Sequence, residues 1–133
     1  MRRRNFIGGL PLSTAACPTW AQGPAKQHRI AILHPAIPAA LLTETGWGIS
    51  FGRVFFAELR RLGYVEGENL VVERYSAEGH HERYADLARE IVTRQPEVIV
   101  TVTNPVVIAV TAATSTIPVV AMMLDPLKAG LVT

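Results

Sequence analysis

Apolar and polar positions alternate, then recur at helical spacing, then alternate again along most of this chain. His28 to His34, HRIAILH, is a short apolar run closed by Pro35, the pattern of a buried strand. Residues 35–45 are rich in proline and alanine and read as a loop. From Trp47 the period changes. Trp47, Phe51, Val54, Phe55, Leu59 and Leu62 fall on one helical face, with Arg53, Glu58, Arg60 and Arg61 on the other. Gly63 suits the end of that helix, since glycine accepts the left-handed conformation a C-cap needs.

Residues 63–69, GYVEGEN, form a turn with Gly67 and Asn69 as breakers. Leu70, Val71, Val72 and Tyr75 predict a second strand, and Ala77-Glu78-Gly79 a polar hinge. Tyr84, Leu87, Ala88, Ile91 and Val92 lie on one stripe, so residues 80–94 predict a helix that Pro96 stops. Val98–Val102 reads as a third strand, apolar enough to be covered on both faces. Asn104 is placed as an N-cap and Pro105 as the first helical residue of a helix running to about Thr114. Pro118 opens a fourth strand over residues 119–124, ending at Asp125-Pro126.

Strands alternating with helices predict an α/β fold: a parallel sheet with helices on both faces, because parallel neighbours need crossover connections. No charged residue occurs from Val98 to Leu124, a run long enough to span a bilayer. Asn104-Pro105 and Pro118 cut it into three pieces rich in Val, Ile and Thr, which argues for strand, buried helix and strand.

The net charge of +2 misleads. Arg2, Arg3 and Arg4 open the chain and no acidic residue precedes Glu44. Without residues 1–21, ten basic residues face eleven acidic ones, so the basic pI belongs to the leader and gives no reason to expect a nucleic-acid partner. The leader has a basic start, a short apolar stretch and small residues before Gln22. RRRNFIG resembles a twin-arginine export motif through Arg3, Arg4 and Phe6, and Thr19 with Ala21 places the cleavage after Ala21. Cys17 follows STAA, but Thr14 stands where a lipobox wants leucine and Pro18 follows, against a lipid anchor. One cysteine allows neither an intrachain disulfide nor a cysteine metal cluster.

In sheets of this kind ligands bind outside the carboxyl ends of the strands. That places His34 after strand one, Ser76 with Tyr75 after strand two, Thr103 and Asn104 after strand three, and Asp125 after strand four. The free N–H groups of a helix starting at Asn104 favour an anion. Two readings stay open there, Asn104 as cap alone and Asn104 as cap and ligand contact. Asp125 is either an acceptor for an amine or hydroxyl or a turn residue before Pro126, and His34 reads as a loop residue more than a base. Adjacent His80 and His81 point apart on a helix, against a metal site. No nucleophile elbow, phosphate loop or dinucleotide fingerprint is present, and no cofactor is implied.

The chain resembles the solute-binding components of ABC importers, and more narrowly the periplasmic proteins related to tryptophan- and tyrosine-type importers. RRRNFIGGL, LRRLGYVEGENLVVERYSAEG, LAREIVTRQPEVIVT, TNPVVIAVTAATSTIPVV and DPLKAGLV carry the resemblance. It implies a type I periplasmic binding protein with a Rossmann-like lobe, not an enzyme. Two lobes close over a small polar, amino-acid-like solute and present it to an inner-membrane permease. It also implies that Thr103, Asn104 and Asp125 line the cleft. Relatives often carry an aromatic before Ala77-Glu78-Gly79, where this chain has Ser76. Members are over twice as long, so residues 1–21 are expected to be a signal peptide and 22–133 an incomplete N-terminal lobe lacking its C-terminal partner. The other expectations are a truncated non-functional fragment, or a small cytoplasmic flavodoxin- or regulator-like domain, for which no acidic pocket or phosphate loop is found.

Overall fold

A computed structural model describes residues 26–132. The export residues Arg3, Arg4, Phe6, Cys17 and Ala21 lie outside the described residues. Four strands and three α-helices alternate: β1 His28–His34, α1 Arg53–Arg61, β2 Leu70–Ser76, α2 Tyr84–Thr93, β3 Val98–Val102, α3 Asn104–Ala113 and β4 Val119–Met122. The strands form one sheet in the order β2-β1-β3-β4, and every neighbouring pair is parallel. The register pairs His34 with Ser76 and Leu33 with Thr101, so the carboxyl ends of β1, β2 and β3 lie along one edge.

The pleat of β1 divides the core. Ile30 and Ile32 face Phe56 of α1, together with Trp47, Leu42, Val72 and Val100. Ala31 and Leu33 face Leu87, Ala88 and Ile91 of α2 and Val106 and Val110 of α3. Successive side chains of a strand point to opposite faces, so a continuous apolar run serves both layers. Among the described residues no helix is long and apolar enough to cross a membrane, and the uncharged run divides into β3, α3 and β4 as its prolines require.

The first helix departs from its sequence pattern. It opens with a π-helical turn, Gly48–Gly52, in which the Gly52 N–H donates to the Trp47 carbonyl oxygen at 3.1 Å. A turn that closes five residues apart moves the apolar stripe by about one position. Phe56 is therefore buried, whereas Val54 and Leu62, expected on the core face, are 66% and 56% exposed. Gly52 is required there, because a Cβ would stand 2.5 Å from the Thr43 carbonyl oxygen. The loop of residues 35–45 contains a 3-10 turn, Ala39–Leu41, which delivers Leu42 into the core. The helix expected over residues 80–94 begins as a 3-10 turn, His81–Arg83, and becomes α-helical at Tyr84. β4 stops at Met122 rather than at Leu124.

A second correction concerns Asn104. Thr103 takes the cap position of α3, and no side chain caps the helix. Asn104 is the first helical residue instead, and its carboxamide reaches across to the chain leaving β4.

Candidate functional site

Where β3 ends, the chain turns abruptly. The Thr103 N–H completes the sheet by donating to the Met122 carbonyl oxygen at 2.9 Å. Thr103 itself has φ 69° and ψ 143°, a conformation that costs a β-branched residue of the order of 1–3 kcal/mol. The turn throws the chain into α3, where the Thr103 carbonyl oxygen accepts the Val107 N–H at 3.1 Å. The N–H groups of Asn104 and Val106 begin the helix with no acceptor in a preceding turn, and Pro105 has no N–H. The helix dipole adds a partial positive charge at this point.

Beside this helix start lies a cavity of about 540 Å³, lined by Val102, Thr103, Asn104, Pro105, Met122, Met123 and Leu124. None of these side chains is ionisable, and five of them are apolar. The site therefore offers one polar corner, made by Thr103 and the helix N–H groups, and an apolar wall. An anionic group suits the corner and an uncharged body suits the wall. The thioethers of Met122 and Met123 adapt to irregular shapes and make favourable contacts with aromatic edges.

The remaining residues expected at the site sit at the same end of the sheet or just beyond it, but do not line this cavity. His34 Nδ1 accepts the N–H groups of Ala36 and Ile37 at 3.0 and 2.8 Å. That arrangement requires an unprotonated Nδ1, leaving Nε2 as the donor. Burial pushes the His34 pKa below its ordinary value of 6.5 in the same direction. Ser76 is buried, and its hydroxyl oxygen accepts the Glu78 N–H at 3.0 Å. The Ala77 N–H donates to the His34 carbonyl oxygen, so the exits of β1 and β2 are tied together. Asp125, with φ 48°, closes a turn: one carboxylate oxygen accepts the Lys128 N–H at 3.0 Å.

The structure thus groups Thr103 and Asn104 in one cavity, joins His34 to Ser76 beside it, and puts Asp125 into the turn that follows Leu124. Sequence reasoning singled out polar groups and missed the apolar wall. Its one visible sign was the uncharged Met122-Met123-Leu124 immediately before Asp125. Among the described residues, no group of three or more His, Cys, Asp or Glu is placed to hold a metal ion.

The model of the family described as ABC transporter substrate binding protein matches residues 53–133. Among solved structures, a conserved domain protein from Vibrio cholerae is 30% identical, with a TM-score of 0.67 over 80% of this chain and 34% of its own. The ligand-free, open structure of a substrate binding protein with adhesive properties from Clostridium difficile is 24% identical, with a TM-score of 0.64 over 79% of this chain and 34% of its own. An ABC domain in complex with L-Trp from Streptococcus pneumoniae is 21% identical, with a TM-score of 0.59 over 78% of this chain and 32% of its own. At the identities of these last two the likeness is one of fold. The chain spans about a third of the length of each of these structures. No curated protein matches it significantly.

Proposed function

Because the chain belongs to the ABC transporter substrate binding protein family, we propose that it captures a small carboxylated solute with an apolar body, for delivery to a membrane permease. The observation that carries this reading is the cavity at the carboxyl ends of β3 and β4, with its helix N-terminus on one side and its Met-Met-Leu wall on the other. The solute carboxylate meets the Thr103 hydroxyl and the N–H groups of Asn104 and Val106. Its side chain lies against Met122, Met123 and Leu124. The fold likeness to a protein bound to L-Trp makes an aromatic amino acid the first candidate. His34, through Nε2–H, and Ser76 and Asp125 border the cleft farther out. The role is binding, with no catalytic residue assigned.

The same reading makes residues 1–21 an export signal, cleaved near Ala21, with the product in the periplasm. It makes residues 22–133 one lobe of a two-lobed protein whose other lobe closes over the solute. Exposed apolar side chains support the last point: Val120 of the edge strand β4 and Leu127 beyond it, neither of which lines the cavity, are 54% and 68% exposed, as a surface that packs against further polypeptide is.

Calorimetric titration of the purified chain with L-tryptophan, L-tyrosine and L-leucine tests the binding. Saturable heat for at least one is expected. No saturable heat for any of them, with the protein folded by circular dichroism, would sink the reading. Cell fractionation tests the export, where an uncleaved and purely cytosolic product would count against it.

A further inference from the structure

We infer that the side chain of Asn104 is a positioning group that sets the width of the cavity, while only the backbone N–H of this residue is offered to the solute. This rests on the proposal that the cavity receives the solute. The carboxamide of Asn104 is engaged on both sides: Nδ2 donates to the Leu124 carbonyl oxygen at 2.9 Å, and Oδ1 accepts the Leu124 N–H at 3.1 Å. A reciprocated pair of this kind imitates a strand partner. The backbone ladder between β3 and β4 ends with the Thr103 N–H on the Met122 carbonyl oxygen. The Asn104 side chain supplies the next rung after the backbone has turned away into α3.

Packing does not hold this part of the wall. Leu124 is 83% exposed, and among the described residues its backbone makes no hydrogen bond other than those to Asn104. The segment from Met122 to Leu124 is one side of the cavity, and Val102 and Pro105 belong to the other. Beyond the last backbone rung, from the Thr103 N–H to the Met122 carbonyl oxygen, Asn104 is the link that crosses between them at Leu124, so the gap available to an apolar group there depends on it. The unusual backbone of Thr103 has a place in this arrangement, because it brings Asn104 into α3 facing β4 instead of capping the helix.

The test uses the full chain and the variants Asn104→Ala and Asn104→Asp. Ala removes both hydrogen bonds, whereas Asp keeps the acceptor for the Leu124 N–H and loses the donor. The first readout is amide hydrogen exchange in the ligand-free protein by NMR. Exchange at Leu124 should quicken about tenfold or more in Asn104→Ala and less in Asn104→Asp, with Ile99 in β3 unchanged. The second readout is the ratio of affinities for L-tryptophan and L-alanine, which should fall at least about fivefold in Asn104→Ala as the wall loosens. Unchanged exchange at Leu124 overturns the inference. Equal loss of affinity for both amino acids, with their ratio kept, also overturns it by making the Asn104 carboxamide a direct contact. If the wild-type chain binds neither amino acid while Leu124 exchange responds as expected, the solute reading fails and the positioning role of Asn104 stands.

Discussion

The Thr101 hydroxyl donates a 3.0 Å hydrogen bond to the carbonyl oxygen of Leu33, its partner in the β1–β3 register, in a place with no solvent exposure. Polarity in the middle of a parallel sheet is tolerated because the donor is used inside the sheet. Thr101→Val keeps the shape and deletes the bond. It should lower the stability by about 1 kcal/mol, with the Leu33 carbonyl oxygen left a donor short. Urea unfolding of the two proteins checks this. A more stable valine variant would mean that the added methyl outweighs the bond.

Arg74 on β2 holds three pieces of chain at once. Its Nε donates to the Leu42 carbonyl oxygen at 2.7 Å, its terminal nitrogens fork onto Glu66 at 2.5 and 2.8 Å, and its guanidinium stands 5.6 Å from the Phe56 ring centre. A lysine cannot reproduce the fork and the Nε bond together, so Arg74→Lys should cost about 1–2 kcal/mol. Glu66 is more exposed, and Glu66→Gln should cost no more than about 1 kcal/mol, with most of that loss vanishing in high salt. Equal costs for the two substitutions would mean that the carbonyl and ring contacts contribute little.

The pH dependence of stability should show two windows. His34 has a folded pKa below 6.5, so the unfolded chain binds the proton more tightly. Its contribution is fully present above 6.5 and is lost as the pH falls below that value, since protonation displaces the N–H groups of Ala36 and Ile37. A second loss begins below 4.5, where Glu44, Glu58 and Glu97 take up protons. Hydrogen bonds from Arg60, Arg61 and His28, respectively, hold their carboxyls below that value in the fold. Thermal melting from pH 8 to pH 3 should show both steps, and His34→Asn should remove the His34 contribution to the upper one. An identical upper step in that variant would assign it to another group.

Thr103 should respond differently to two small residues. Glycine accepts a positive φ without strain, whereas alanine keeps the Cβ that opposes it. Thr103→Gly is expected to be about 1 kcal/mol more stable than Thr103→Ala in chemical unfolding, although both lose the hydroxyl offered to the solute. Both variants should therefore bind L-tryptophan more weakly than the wild type. If Ala and Gly are equally stable, the backbone at this position is not strained.

Much of the scaffold was legible because it depends on local periodicity and on punctuation. The apolar run of HRIAILH and the breakers Pro96, Pro105 and Pro118 place β1, β3 and α3 within a residue or two of their observed bounds, and the stripe of Leu87, Ala88 and Ile91 places α2, whose α-helical part starts four residues later than expected. Alternation of strand and helix also determined the parallel sheet, since no short turn can join parallel neighbours. Tertiary structure alone decided which helical face is inside and which polar groups are free. The π turn that buries Phe56 and exposes Val54 sets Gly52 against the Thr43 carbonyl, a close approach between segments that leaves no room for a Cβ. Asn104 has the composition of a cap and became a bridge, because the exit of β4, twenty residues away, offered its carboxamide a donor and an acceptor together. Local sequence specifies which hydrogen bonds a residue is able to make. Only the packed fold specifies which partner is within reach.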